Sequence, residues 1–278
     1  MIMKQFLLVT IFLFSCYKTY EVKNQIPELN LTLVDSLRLA NPVSAMGLDS
    51  DGGVFILEVS GARILKLSSN LVLVDSIILP DKIFYPKGIS VDEFFIYIYS
   101  DNNFYRFDRK SKTLKLVFSG VKPQGMAVVN TNEVYLADPQ NNRVVVVDAA
   151  GQSKDFIKQP TASEFEPTGL AYDATNGTIW IINNRNQAVE SYNRIGNLKA
   201  RVSIFNFSFD ELSLDNNNRI YLIGKNGTSV WRIDRQGEFR LYQGGNGNSF
   251  VATDILLGNK LIYILDYQNR ILSFKIPQ

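Results

Sequence analysis

The stretch PQGMAVVNTNEVYLADPQNNRVVVVDAAGQ, residues 123–152, sets out one structural unit that the rest of the chain repeats. It opens on Pro123-x-Gly125, passes through a short apolar run and turns at Asn130-Thr131-Asn132. It resumes as VYLAD (134–138) with Tyr135 near its centre, turns again, and continues as RVVVVD (143–148) toward Gly151. β-Branched and aromatic residues bounded by Asn, Asp and Gly read as short strands joined by tight turns. The apolar runs do not alternate with polar residues, which is the pattern of strands covered on both faces.

The same grammar recurs in PKGISVDEFFIYIYSDNNFYRFDRKSK (86–112) and PTGLAYDATNGTIWIINNRNQAVESYNRIGN (167–197). It recurs again in AMGLDSDGGVFILEVSGARILKLSSN (45–70), DELSLDNNNRIYLIGKNGTSVWRIDRQGE (210–238) and TDILLGNKLIYILDYQNRILSFK (253–275). Alignment on Gly47, Gly88, Gly125, Gly169, Glu211 and Thr253 gives six copies about 41 residues apart. Each copy then carries an aromatic in its second strand: Phe55, Tyr97, Tyr135, Trp180, Tyr221 and Tyr263. Six copies at that period specify propeller blades. No segment shows a sustained helical period. The sequence predicts an all-β, six-bladed β-propeller over residues 31–278.

The sixth copy ends after its third strand. Upstream of the first copy lies LTLVDSLRL (31–39), nearly identical to LVLVDSIIL (71–79), the fourth strand of copy one. The N-terminal segment 31–39 is therefore expected to complete the last blade and close the ring, removing an exposed edge. With Pro123-x-Gly125, VYLAD, Asn142-Arg143 and the run ending in Asp148 and Gly151, the chain resembles the NHL-repeat family of six-bladed propellers. That resemblance implies a fold shared by binding platforms, sensors and occasional enzymes, and fold alone does not settle function.

Residues 1–15, MIMKQFLLVTIFLFS, place one lysine before an apolar run from Phe6 to Phe14, the length of a signal-peptide core and about half of a bilayer span. Leu13-Phe14-Ser15-Cys16 resembles the lipobox of a bacterial lipoprotein, with Leu three before the chain's only Cys and a small residue directly before it. The resemblance implies cleavage before Cys16, acylation of Cys16, and attachment to the cell envelope. Tyr17, not Asp, after the Cys implies the outer membrane as destination. Residues 16–30 read as the lipidated Cys and a polar tether.

Composition removes whole classes of chemistry. The chain has no histidine, so Ser-His-Asp and Cys-His nucleophiles, His general bases and His-ligated zinc, including that of histidine-dependent propeller lyases, are excluded. One Cys excludes intrachain disulfides and thiolate metal clusters. A formal net charge of +2 without a basic block argues against nucleic acid as partner. Apolar content of 46% supports a full core. GGNGN (244–248) lacks the third Gly and the helix of a dinucleotide loop.

Two recurrent polar patterns read as turn chemistry: Glu58, Asp101, Asp138, Asn183/Asn184 and Asp266 ahead of Arg63, Arg143 and Arg270, and the Asp/Asn/Gly turns at 49–52, 173–177 and 215–218. The copies diverge at the connections into each blade, in 81–86, 159–167, 206–212 and 243–253. Acidic and aromatic residues interleave there, and Phe84, Tyr85, Glu164, Phe165, Glu166, Phe209, Asp210, Glu211 and Asp254 form the candidate binding face. The first functional expectation is a monomeric, lipid-anchored envelope propeller without a cofactor. It would bind or scaffold an envelope protein or a small ligand. The alternative is a hydrolase resembling gluconolactonase, whose family holds Ca2+ or another divalent cation in the central opening. Glu58, Asn184, Asp210 and Asp254 supply oxygen donors for it, though without that family's local motif.

Overall fold

The structure is a computed structural model that describes residues 18–21, 28–158, 165–204, 208–224, 226–233, 239–244 and 249–277. Six small antiparallel sheets form the six blades of a propeller. Blades 1 to 5 span 43–78, 86–119, 125–158, 167–203 and 209–244, each running from an inner strand outward. Blade 6 takes its first three strands from 252–275. The one helical element among the described residues is a single 3-10 turn, Pro139–Asn141.

The second strands explain the absence of alternation in the sequence. Val54–Glu58 is buried at every position, and Phe95–Ser100, Glu133–Asp138 and Leu261–Asp266 at every position but the first. Each packs a neighbouring blade on both faces. Six clusters lie at the six blade junctions in place of one central core. At the junction of blades 1 and 2, for example, Phe55, Leu57 and Ile64 meet Ile89, Ile98 and Phe107.

The ring closes as the sequence predicts. Strand β3 (Leu33–Arg38), third after β1 (Lys18–Glu21) and β2 (Glu28–Leu31), pairs antiparallel with Arg270–Lys275 as the fourth strand of blade 6. Backbone bonds from Leu39 N–H to the Asn269 carbonyl (2.9 Å) and from Lys275 N–H to the Thr32 carbonyl (3.0 Å) extend the pairing at both ends. The tether expected over 16–30 is corrected in part. β1 lies parallel to the outer strand Leu198–Ser203 of blade 4, and β2 parallel to the outer strand Phe239–Gly244 of blade 5. These short edge strands pair through their backbones, and β2 also buries Leu31 at the junction of blades 5 and 6.

The Asp and Glu side chains of the turns do the structural task expected of them. Asp266 accepts the backbone N–H groups of Gln268 and Arg270, both at 2.9 Å, and pairs with the Arg270 guanidinium. Asp138 with Arg143 and Glu58 with Arg63 repeat the pairing. At the opposite end of the blades, Asp173 and Asp215 cap turn amides in the same way. In blade 1 the turn between Glu58 and Arg63 requires Gly61, at φ +65°, because a Cβ there would lie 1.7 Å from the Ile83 carbonyl oxygen.

Candidate functional site

The connections into each blade and the turns between second and third strands share one face, called upper here. At its upper end the inner strand shifts register against the second strand in five blades. The shifts fall between Val43 and Ala45, Pro86 and Gly88, Pro167 and Leu170, Phe209 and Glu211, and Ala252 and Asp254. Such bulges kink a strand and re-aim its side chains. They also correct the alignment of the copies. The ring of equivalent positions is Ala45, Gly88, Gly125, Gly169, Glu211 and Asp254, because Gly47 pairs further down with Phe55 and Thr253 is the bulged residue. Four blades hold Gly or Ala at this level, and adjacent blades 5 and 6 hold carboxylates.

The small residues permit close approach of neighbouring inner strands. A Cβ on Gly125 would lie 2.1 Å from the Thr168 carbonyl oxygen, and one on Gly169 would lie 3.0 Å from the Leu212 backbone nitrogen. The inner strands of blades 1 and 2, 3 and 4, and 4 and 5 pack tightly, while those of 5 and 6, of 6 and 1, and most of all of 2 and 3 stand further apart. Gly88 has a different use. A Cβ there would fall 1.9 Å from the ring of Tyr99, so its absence lets Tyr99, from the second strand of blade 2, lie across the inner strand and reach the channel. Tyr99 is 5% exposed, and its hydroxyl has no hydrogen-bond partner among the described residues.

The channel cavity measures about 390 Å³ and is lined by Met46, Tyr99, Met126, Leu170, Glu211 and Asp254, among others. Asp254 accepts the backbone N–H of Met46 at 2.6 Å and that of Ile255 at 2.7 Å. Burial raises its carboxyl to about 7 against the pull of these two amides. Burial pushes the Glu211 carboxyl well above the usual carboxylate range, and the charges of Asp254 and Asp210 push it the same way. Burial raises the Tyr99 phenol too, with Glu211 and Asp254 adding to it. Amide donors favour charge on Asp254 and nothing comparable favours it on Glu211. The proton of the pair therefore rests on Glu211. Lys87, the one basic residue lining the cavity, is ion-paired with Asp101 at 2.6 Å.

The sequence-derived binding face separates into distinct groups. Glu211 and Asp254 meet in the channel. Phe84 and Tyr85 project from the upper face, 66% and 73% exposed. Phe165 and Phe209 are corrections: both are buried, Phe165 at the junction of blades 3 and 4 and Phe209 edge-on against Trp231 at the junction of 4 and 5. An aromatic beside an acidic residue in a connecting segment reads as a surface motif, but both rings serve the junctions. Glu166 is half-buried and pairs with Arg185 at 3.4 Å. Asp210 is exposed, and Glu164 lies outside the described residues.

The oxygen donors of the alternative reading do not converge. Glu58 is engaged by Arg63 and Asn41, and Asn184 by the backbone of Phe209 and by Thr168. Among the described residues no three Asp, Glu, His or Cys side chains stand close enough together to hold a metal ion. Sequence reading missed Tyr99 and Gly88. The signal was IYIYS (96–100), where a second aromatic follows Tyr97 by two residues and the other copies carry Leu57, Ala137, Ile182, Ile223 and Leu265.

Fold and channel define a six-bladed β-propeller whose repeat symmetry is broken at its centre. No protein-family profile matches the chain, and no curated protein does. Similar solved structures include virginiamycin B lyase from Staphylococcus aureus, at 17% identity and TM-score 0.65 over 86% of this chain and 83% of that one. A gluconolactonase from Xanthomonas campestris matches at 15% identity and TM-score 0.66 over 87% and 89%. YCF48 bound to the D1 peptide matches at 12% identity and TM-score 0.64 over 91% and 100%. At these identities the likeness is one of fold.

Proposed function

We propose that this chain is a lipid-anchored propeller of the bacterial cell envelope that binds a protein or small ligand on its upper face. The observation that carries the reading is the pair Phe84–Tyr85, exposed where the chain enters blade 2. Tyr85 holds a left-handed backbone at φ 52°, sparsely populated for a bulky residue. Val59 of blade 1 and Val251 and Tyr267 of blade 6 are exposed on the same face, so adjoining blades 6, 1 and 2 each present apolar side chains there. Exposed aromatic anchors on one face suit recognition. A peptide-bound propeller among the similar structures supports a protein partner. The anchor rests on Leu13-Phe14-Ser15-Cys16, and with it the outer-membrane location.

The enzyme alternative has less support. A catalytically inactive variant of the staphylococcal lyase carries alanine in place of a histidine, and this chain has no histidine. A gluconolactonase-like divalent cation site would require Glu58 and Asn184 to leave their partners. The binding reading is tested by placing a photo-crosslinking residue at Phe84 or Tyr85, and a control at Ile195 on the lower face, in cells. Adducts from 84 and 85 but not from 195 are expected, and equal labelling from all three positions overturns the assignment of the face. Loss of acyl labelling in Cys16→Ala is expected for the anchor, and unchanged membrane partition overturns it.

A further inference from the structure

We propose that the central channel binds a primary ammonium group, held by Glu211, Asp254 and the hydroxyl of Tyr99. The inference goes beyond a binding surface on the rim and uses different residues, so either can fail without the other.

The chemistry follows from what the channel offers and lacks. Two carboxyl groups and the phenol of Tyr99 line its wall from blades 5, 6 and 2, with Tyr172 of blade 4 also in the lining, and an ammonium carries three N–H donors. Among the described residues Lys87 is the one basic side chain in the lining, and it is ion-paired with Asp101. The Tyr99 residue is only 5% exposed, and its hydroxyl has no hydrogen-bond partner among the described residues and opens onto the cavity, where a donor could reach it. Met46, Ile89, Met126 and Leu170 give the lining an apolar part, beside Ser90, Ser213 and Tyr172, against which an alkyl chain behind the charged head can rest. A hard divalent cation fits less well. It seeks six or more oxygens, yet only two carboxylates line the wall.

A proton linkage distinguishes this site from simple hydrophobic uptake. Burial holds a proton on Glu211, and an arriving cation favours its release. Alkylammonium groups stay charged to about pH 10. Binding therefore tightens as pH rises from 5.5 to 8, with proton release from the protein.

The experiment is isothermal titration of the full chain with n-butylammonium, n-butanol, Nα-acetyl-lysine amide and Ca2+. Butylammonium is expected to bind at least about tenfold more tightly than butanol at pH 8. Glu211→Gln and Asp254→Asn should each weaken it by about tenfold or more, and Tyr99→Phe by about three- to tenfold with an unchanged thermal midpoint. Tighter binding of the lysine amide assigns the site to a basic side chain of a partner, and tighter binding of butylammonium to a free amine; both support the proposal. Equal binding of butanol, binding of Ca2+ without amine binding, or no amine binding at tens of millimolar overturns it.

Discussion

The carboxylate of Asp254 accepts the backbone N–H of Met46 at 2.6 Å, so a side chain of blade 6 holds the inner strand of blade 1 across 208 residues of sequence. The outer side of the same closure is β3 against Arg270–Lys275. First and last blades are thus joined at two radii, by a side chain within and a strand without.

Asp254→Ala should weaken that inner link. Losing a charged acceptor that serves two amides costs about 1–3 kcal/mol. Asp254→Asn keeps one acceptor oxygen and should cost less. Urea unfolding midpoints of the two variants, compared at one pH, check the order; a neutral Asp254→Ala would mean that water serves the Met46 amide equally well.

Stability should fall as pH rises through the channel pair. Glu211 and Asp254 both have folded-state affinities for protons raised above those of the unfolded chain, Asp254 to about 7. The folded protein therefore binds more protons between about pH 4 and pH 7 and above. Their contribution is fully present below pH 4 and is lost as pH passes 7. Glu211→Gln should be near neutral at pH 5 and raise the midpoint at pH 8, by about 2–4 °C for each kcal/mol regained. Thermal melts at the two pH values decide it, and a midpoint at pH 8 that does not rise refutes the buried-pair account.

The two groups of aromatics should part company on mutation. Phe165→Ala and Phe209→Ala each empty a blade junction and should cost about 3–5 kcal/mol. Phe84→Ala and Tyr85→Ala alter exposed side chains and should stay within about 0.5 kcal/mol. Chemical denaturation of the four variants is sufficient.

The six aromatic-centred second strands and the likeness of 31–39 to 71–79 carried the fold, since strand burial on both faces and edge closure are written in apolar runs. The ring of channel residues was less legible. Bulges that shift Thr253 out of register and bring Asp254 in follow from the pairing of strands, not from any local composition. Tyr99 depends on the bare Cα of Gly88, a relation between residues eleven apart in sequence that only the pairing of inner and second strands brings together. β1 and β2 are four-residue strands added to outer edges by backbone pairing, too short to carry a period, although Leu31 at the end of β2 is buried.

Gly88→Ala tests that relation directly. The added methyl collides with the Tyr99 ring, so either the ring leaves the channel or the inner strand shifts. Overpacking of this kind costs about 1–3 kcal/mol. Tyr99→Ala should relieve most of the penalty, making the double variant more stable than the sum of the single changes predicts. Additive effects would show that the two residues are not in contact.

The ring closure yields the sharpest contrast between truncations. Leu33, Leu37 and Leu39 pack, half-buried, into the blade 5–6 and 6–1 junctions, and Leu31 is buried among Tyr221, Phe250 and Phe274. Removing residues 17–40 forfeits these contacts and bares the edge strand Arg270–Lys275. At about 1.5–3 kcal/mol for each fully buried side chain and less for the half-buried ones, the loss is comparable to a typical domain stability of about 5–15 kcal/mol. That truncation should aggregate or unfold without cooperativity. Removing residues 17–27 instead deletes β1 and spares Leu31 and β3, so the chain should stay folded. Its outer strand on blade 4, Leu198–Ser203, then loses a partner, and amide exchange there should quicken while blade 1 is unaffected. If both truncated chains melt like the full-length protein, the closure by β3 contributes no stability and the account of the ring fails.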